Sequence, residues 1–228
     1  MAQGMERGIL IALEGIDGAG KSTQVHLLAE RLRDAALTIH TTREPTDGPW
    51  GRKIRQSAIE GRMSLEDEYQ AFLHDRREHV ETLIAPALTA GEVVITDRYY
   101  FSTAAYQGAR GMDPAQIIAE NEAFAPRPDL LVVLELDVTD GLARVDHRGQ
   151  GSDEFEHADA LARCAAIFAA LDRPELVRLD ARQDPEAVHR QLIAALIDGP
   201  LLERAQDDGP GSTAQRALDA LRTWLATA

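Results

Sequence analysis

The run Gly15-Ile16-Asp17-Gly18-Ala19-Gly20-Lys21-Ser22 constrains this chain more than any other stretch. It fits G-x-x-x-x-G-K-[ST], a loop whose backbone amides cradle phosphates. Ile9-Leu10-Ile11-Ala12-Leu13 before it is short and apolar and suits a buried strand. After it, Val25, Leu28, Ala29 and Leu32 recur at i, i+3, i+4, i+7, which suits a helix packed on one face. The loop is therefore expected at a strand-to-helix turn. Glycines let the backbone approach phosphate oxygens closely, and the helix start offers unpaired N–H groups and the positive end of the dipole. Lys21 supplies a mobile cation for the β- and γ-phosphates, and the Ser22 hydroxyl is a ligand for Mg²⁺. A chance match is expected in roughly one chain in a hundred of this length.

The 228 residues suffice for one α/β domain with a full core. A net charge of −14 disfavours nucleic acid or an anionic membrane as the main partner. A substrate carrying phosphates must then meet a local basic pocket, so individual arginines matter more than the total. Cys164 is the single cysteine, which excludes an internal disulfide and fits a reducing cytosol. Its neighbours Leu161, Ala165, Ala166 and Phe168 read as a helix core rather than a catalytic setting. No signal peptide or membrane-spanning run is visible, and a cytoplasmic location is expected.

Further strands are expected at 38–42, 93–96, 130–136 and 176–179, with helices between them. Alternation of this kind implies a parallel sheet of about five strands covered by helices on both faces. Ser64 reads as an N-cap with Asp67 three residues on, opening a helix expected to stop near Ala85, before Pro86. Gln206-Asp207-Asp208-Gly209-Pro210-Gly211 reads as a polar linker after the main domain (1–198). Beyond it, Ser212 is placed to cap a last helix with Ala217, Leu218, Leu221 and Leu225 on one face. This tail is expected to dock on the domain rather than meet a partner.

Ligands of such sheets bind at the C-terminal ends of the strands. Three polar clusters fall there: the phosphate loop, Arg43-Glu44-Pro45 and Asp97-Arg98-Tyr99. On the long helix Phe72 and Arg76 stand at i, i+4 and share a face. An aromatic ring can stack on a base, and a guanidinium can donate to its carbonyl edge. Arg43, Arg98, Arg144 and Arg148 are available for phosphate charge, which favours transfer between two phosphate-bearing substrates over hydrolysis.

In these motifs the chain resembles bacterial thymidylate kinase. The resemblance rests on Glu14-Gly15-x-Asp17-Gly18-x-Gly20-Lys21-Ser22-Thr23-Gln24, Thr42-Arg43-Glu44-Pro45 and Phe72-x-x-x-Arg76. It continues in Asp97-Arg98-Tyr99-x-x-Ser102-x-x-Ala105-Tyr106-Gln107-Gly108 and Arg127-Pro128-Asp129-Leu130. It covers about residues 8 to 197 and leaves the tail aside.

The resemblance implies an ATP- and Mg²⁺-dependent kinase converting dTMP to dTDP, working as a homodimer. Gly15, Asp17, Gly18, Ala19, Gly20, Lys21, Ser22 and Thr23 would hold ATP phosphates. Phe72 would stack on thymine and Arg76 would donate to its O4. Arg98 and Arg43 would hold the acceptor phosphate, with Asp17 beside the sugar. Tyr106 would lie where a 2′-hydroxyl would be; Ser102, Thr103 and Gln107 would line the base pocket, with Glu44, Pro45 and Arg55 close by. Asp97 would support Mg²⁺ through water, and the Asp180-Ala181 loop would pass near adenine. Residues 144–156 fall where the family has a mobile LID. Position 19 is alanine, and Glu154 stands where relatives often carry an arginine. That leaves Arg148 and Arg144 to cover the transferred charge. Two alternatives stay open: a nucleoside monophosphate kinase of other or broader specificity, and a non-catalytic nucleotide-binding module using its last helix for a partner.

Overall fold

The computed structural model describes residues 4–146 and 154–227. Five parallel strands form the sheet: β1 (Ile9–Glu14), β2 (Ile39–Arg43), β3 (Val93–Asp97), β4 (Leu130–Glu135) and β5 (Leu176–Asp180), in the order β2-β3-β1-β4-β5. All six residues of β1 are buried, as expected of a central strand covered on both faces. The chain leaves β1 for α1, which packs with α9, and leaves β3 for α5, which packs with α6 and α8. The strand order reverses between β1 and β3, which opens a crevice at the C-terminal end of the sheet. Register makes that end a level rim, since Leu13 and Arg43 both stand opposite Asp97. Glu135 stands opposite Asp180 on the far side.

The helices are α1 (Lys21–Asp34), α2 (Pro49–Glu60), α3 (Leu65–His79), α4 (Ala85–Thr89), α5 (Tyr100–Gly108) and α6 (Pro114–Glu122). They continue with α7 (Val138–Asp146), α8 (Glu154–Ala169), α9 (Pro185–Asp198), α10 (Pro200–Asp208) and α11 (Thr213–Thr227). Among the described residues no helix is long and apolar enough to cross a membrane.

Two boundaries differ from expectation. The helix opened by Ser64 does not stop before Pro86. A π-turn at Val80–Ile84 links α3 to α4, with the Ala85 N–H bonded five residues back to the Val80 carbonyl. Pro86 then falls in the first turn of α4, directly after the π-turn. The expected linker is also largely helical, because α10 runs through Gln206 and Asp207 to Asp208. Buried Leu201 and Ala205 anchor it, and packing overrides a polar sequence. The break falls at Gly209 and Gly211, both at positive φ (81° and 76°). Ser212 then accepts from the Gln215 N–H and caps α11. Ala214, Ala217, Leu218 and Leu221 of α11 are buried in the same core as the sheet. Asp129 ties this tail to the strands: it accepts from Arg204 of α10 at 2.6 Å and from the Leu10 N–H at 2.9 Å.

Candidate active site

The phosphate loop joins β1 to α1. Gly20 caps α1 in the left-handed region (φ 90°), which a side chain at this position would resist. Gly18 shows a different need: a Cβ there would come within 2.5 Å of the Gly141 carbonyl of α7. The loop and α7 therefore touch backbone to backbone, a contact through Gly141 that sequence reasoning missed. Lys21 is buried and donates to the carbonyls of Gly15 and Ile16 at 3.0 and 2.9 Å. Burial pulls its ammonium down to about 8, helped by Arg98 and opposed by Asp17, Asp97 and Glu14. Ser22 donates to Asp97 at 2.5 Å, bringing a hydroxyl of α1 and a carboxylate of β3 together as hard oxygen donors.

Asp17 faces away from this pair, toward α5. It accepts from Arg98 at 2.5 Å and from the Tyr106 hydroxyl at 3.1 Å. Arg98 also donates to Ser102 Oγ at 3.0 Å and lies over the Tyr106 ring. Beyond Arg98 opens a pocket of about 210 Å³, lined by Glu44, Pro45, Phe72, Arg76, Arg98, Ser102, Thr103, Tyr106 and Gln107. These residues come from the β2–α2 connection, α3, the end of β3, and α5. The spacing of Phe72 and Arg76 does place both on the pocket. Tyr99, from the expected Asp97-Arg98-Tyr99 cluster, lines it too, and so do Arg62 and Glu68, which sequence reasoning did not single out.

Arg76 is 1% exposed, and four of its five N–H groups are engaged. It donates to Glu44 through two nitrogens (2.8 and 2.6 Å), to Thr103 at 2.9 Å and to Asn121 of α6 at 2.5 Å. Glu44 also pairs with His79 at 3.0 Å, and His79 reaches Thr42 at 2.8 Å. Burial pushes the Glu44 carboxyl up, but Arg76 and His79 outweigh it and hold it below its ordinary value. Glu44 thus sits behind Arg76 as its counter-ion. Asn121 and His79 escaped sequence reasoning, because neither lies in a motif and long-range pairing leaves no local signal. Gln107 is buried in the pocket wall, and its Oε1 has no hydrogen-bond partner among the described residues.

Arg43 and Arg55 stand on the outer side. Both donate to Asp47 at 2.8 Å, and Arg55 also to the carbonyls of Pro45 and Thr46. Arg43, Ser22, Asp97 and Asp47 line an open cleft of about 400 Å³. On the opposite side of the loop, Gly15, Ile16, Asp137, Asp180 and Arg182 border a third space of about 260 Å³. Arg144 bridges this side, donating to the carbonyls of Gly18 at 3.3 Å and Ala181 at 3.1 Å. Arg148 lies outside the described residues, as do residues 147–153 of the expected LID. Cys164 is buried, and burial raises its thiol to about 11, far from the reactive range.

Comparison with known proteins agrees with this geometry. A family model described as thymidylate kinase matches residues 13–192. A thymidylate kinase of Xanthomonas euvesicatoria pv. vesicatoria (strain 85-10) is 48% identical over 214 residues, 94% of each chain. One from Xanthomonas campestris pv. campestris (strain B100) is 52% identical over 195 residues, 84% of this chain and 86% of its own. One from Akkermansia muciniphila is 48% identical over 193 residues, 85% of this chain and 93% of its own. The first match spans 94% of the 228 residues, so it extends past Asp198 into the tail, which the motif-based resemblance left aside.

Proposed function

The chain belongs to the thymidylate kinase family and is an enzyme that phosphorylates dTMP with ATP; on that premise we propose how its residues divide the work. The observation that carries the proposal is the double role of Arg98. It walls the 210 Å³ pocket and reaches Asp17 of the phosphate loop. A nucleotide whose base fills the pocket therefore presents its phosphate beside the loop.

Phe72 stacks on thymine. Arg76, locked by Glu44, Thr103 and Asn121, has one N–H left on the nitrogen that serves Asn121, and this donates to O4. The unpartnered Oε1 of Gln107 accepts the imide N–H. Tyr106, held by Asp17 and Arg98, closes the space a 2′-hydroxyl would need. Arg98 and Arg43 take the acceptor phosphate, with Arg55 at their side. On the donor side the loop amides and the α1 N-terminus receive the ATP phosphates. Lys21 exchanges two loop carbonyls for phosphate oxygens, and Arg144 sits where the Ala181 loop meets the phosphate loop. Phosphoryl transfer needs little covalent help from the protein, so this positioning and charge neutralisation is the catalysis.

Ser22 and Asp97 fit Mg²⁺, which takes one or two protein oxygens and otherwise water and phosphate. When bound it would neutralise phosphate charge. Arg148 is proposed to cover the transferred group from the LID. Residues 1–198 act as the kinase domain, with 199–228 appended to its core. The protein works as a homodimer, as the family resemblance implies, in the cytoplasm and with no nucleic-acid or membrane partner. The acidic balance supports the absence of those partners, and the lone buried thiol supports a reducing compartment.

Lys21→Ala tests the phosphate-loop assignment. Steady-state assays are expected to show kcat/KM lower by roughly a thousandfold, and retained activity would overturn it.

A further inference from the structure

Glu14 takes no part in the division of work just described, yet it is fully buried at the end of β1, next to the phosphate loop. Its Oε1 accepts from the N–H groups of Tyr99 and Ser102, at 2.8 and 3.1 Å. Its Oε2 accepts from the Ser102 hydroxyl at 2.5 Å. Ser102 Oγ in turn accepts from Arg98. A serine hydroxyl has one hydrogen. Because that hydrogen is given to Glu14, the oxygen's lone pairs stay free to receive the Arg98 guanidinium.

Arg98 needs such support. Its backbone lies at φ 73°, a left-handed conformation rare for a residue of this kind. Leu13, next to Glu14, holds one side of it by accepting the Arg98 N–H at 2.9 Å. Glu14 holds the other side through Tyr99 and Ser102. The charged groups facing Glu14 are Arg98, on the β3–α5 connection, and Lys21, on α1. Burial pushes the carboxyl up to about 7, and the hydrogen bond from Ser102 and the charge of Arg98 only partly offset this.

We propose that Glu14 is a positioning residue for the acceptor phosphate: through Ser102 it fixes the direction in which Arg98 presents its guanidinium. One strand then sets both phosphate sites in a single frame, the donor loop by its chain direction and the acceptor arginine by this relay. The inference rests on the reading of Arg98 as the arginine that holds the acceptor phosphate.

The test is Glu14→Gln, which keeps the shape and an oxygen for the two N–H groups. Its amide NH₂ faces Ser102 and forces the hydroxyl hydrogen round toward Arg98. Calorimetric titration with dTMP, thymidine and ATP separates the outcomes. The relay predicts that dTMP binding weakens about tenfold, while thymidine and ATP bind as before. Equal weakening of dTMP and thymidine would show a merely structural role and overturn the proposal, as would unchanged dTMP binding. The double variant with Ser102→Ala is expected to show strong non-additivity, and additive effects would count equally against it. If Glu14→Gln does not fold, Ser102→Ala decides, since it cuts the hydroxyl link between Glu14 and Arg98, and thymidine binding reads its effect on the pocket wall separately. An unchanged preference for dTMP over thymidine would then be the refuting result. Arg98→Ala, titrated alongside, separates the layers. If it leaves dTMP binding unchanged, the reading of Arg98 itself fails. If it weakens dTMP while Glu14→Gln does not, only the role of Glu14 fails.

Discussion

Arg76 and Arg43 are both proposed to hold the acceptor nucleotide, and the fold treats them in opposite ways. The Arg76 side chain is 1% exposed and donates to Glu44, Thr103 and Asn121 before any ligand arrives. The Arg43 side chain is 60% exposed and donates to Asp47, itself 74% exposed. A guanidinium cannot be buried without full pairing, because an unpaired charge in a low-dielectric interior is very costly. The direction of Arg76 is thus fixed by folding, and it can read the edge of a base. An exposed guanidinium stays solvated and can be re-ordered by a phosphate, so Arg43 supplies charge rather than discrimination. The pocket proposed for the base, with Arg98 beside it, is preorganised, and the outer phosphate contact at Arg43 is finished by the substrate.

The largest effect that sharpens this contrast concerns Glu14, a buried acid in the preorganised part. Its folded carboxyl is raised from 4.5 to about 7, chiefly by burial. Between those pH values the folded state holds more protons than the unfolded chain, so stability falls as pH rises and levels off above about 7. The shift corresponds to about 3 kcal/mol. Urea unfolding at pH 5 and pH 8 is expected to show this decline in the parent and its loss in Glu14→Gln. Parallel profiles would contradict it.

Next in size is Phe72→Ala. Stacking a base on an aromatic ring contributes about 1–3 kcal/mol, so the KM for dTMP is expected to rise roughly ten- to a hundredfold. The KM for ATP should hold. Equal change in both would remove Phe72 from the base pocket. The smallest effect is expected at the exposed end. Arg43→Ala gives up an interaction of the solvent-screened kind, about 1 kcal/mol or less, and its effect on the KM for dTMP should shrink as salt is added. A large, salt-independent loss would mean that Arg43 is as preorganised as Arg76.

Much of this was legible in the sequence where the signal is local. The phosphate loop, its strand and its helix follow from eight contiguous residues and the periodicity on either side. Phe72 and Arg76 share the pocket because four residues make one helical turn. The residues that support the site from elsewhere in the chain were not legible. Asn121, His79 and Gly141 meet the site from 45 residues beyond Arg76, from three residues past it on the same helix, and from α7. None of them carries a motif. Local chemistry also misled at Pro86 and at Gln206–Asp208. There a π-turn and the burial of Leu201 and Ala205 outweighed breaker and polar residues.

The central claim is that a buried, prepaired pocket reads thymine while the phosphate end supplies charge. ADP release from Mg·ATP, measured with dTMP, dUMP, UMP, CMP and AMP as acceptors, tests it most directly. The account predicts strong preference for dTMP, with UMP disfavoured by Tyr106 against its 2′-hydroxyl. Comparable turnover with all five acceptors, or binding of ATP without turnover on any of them, would contradict it.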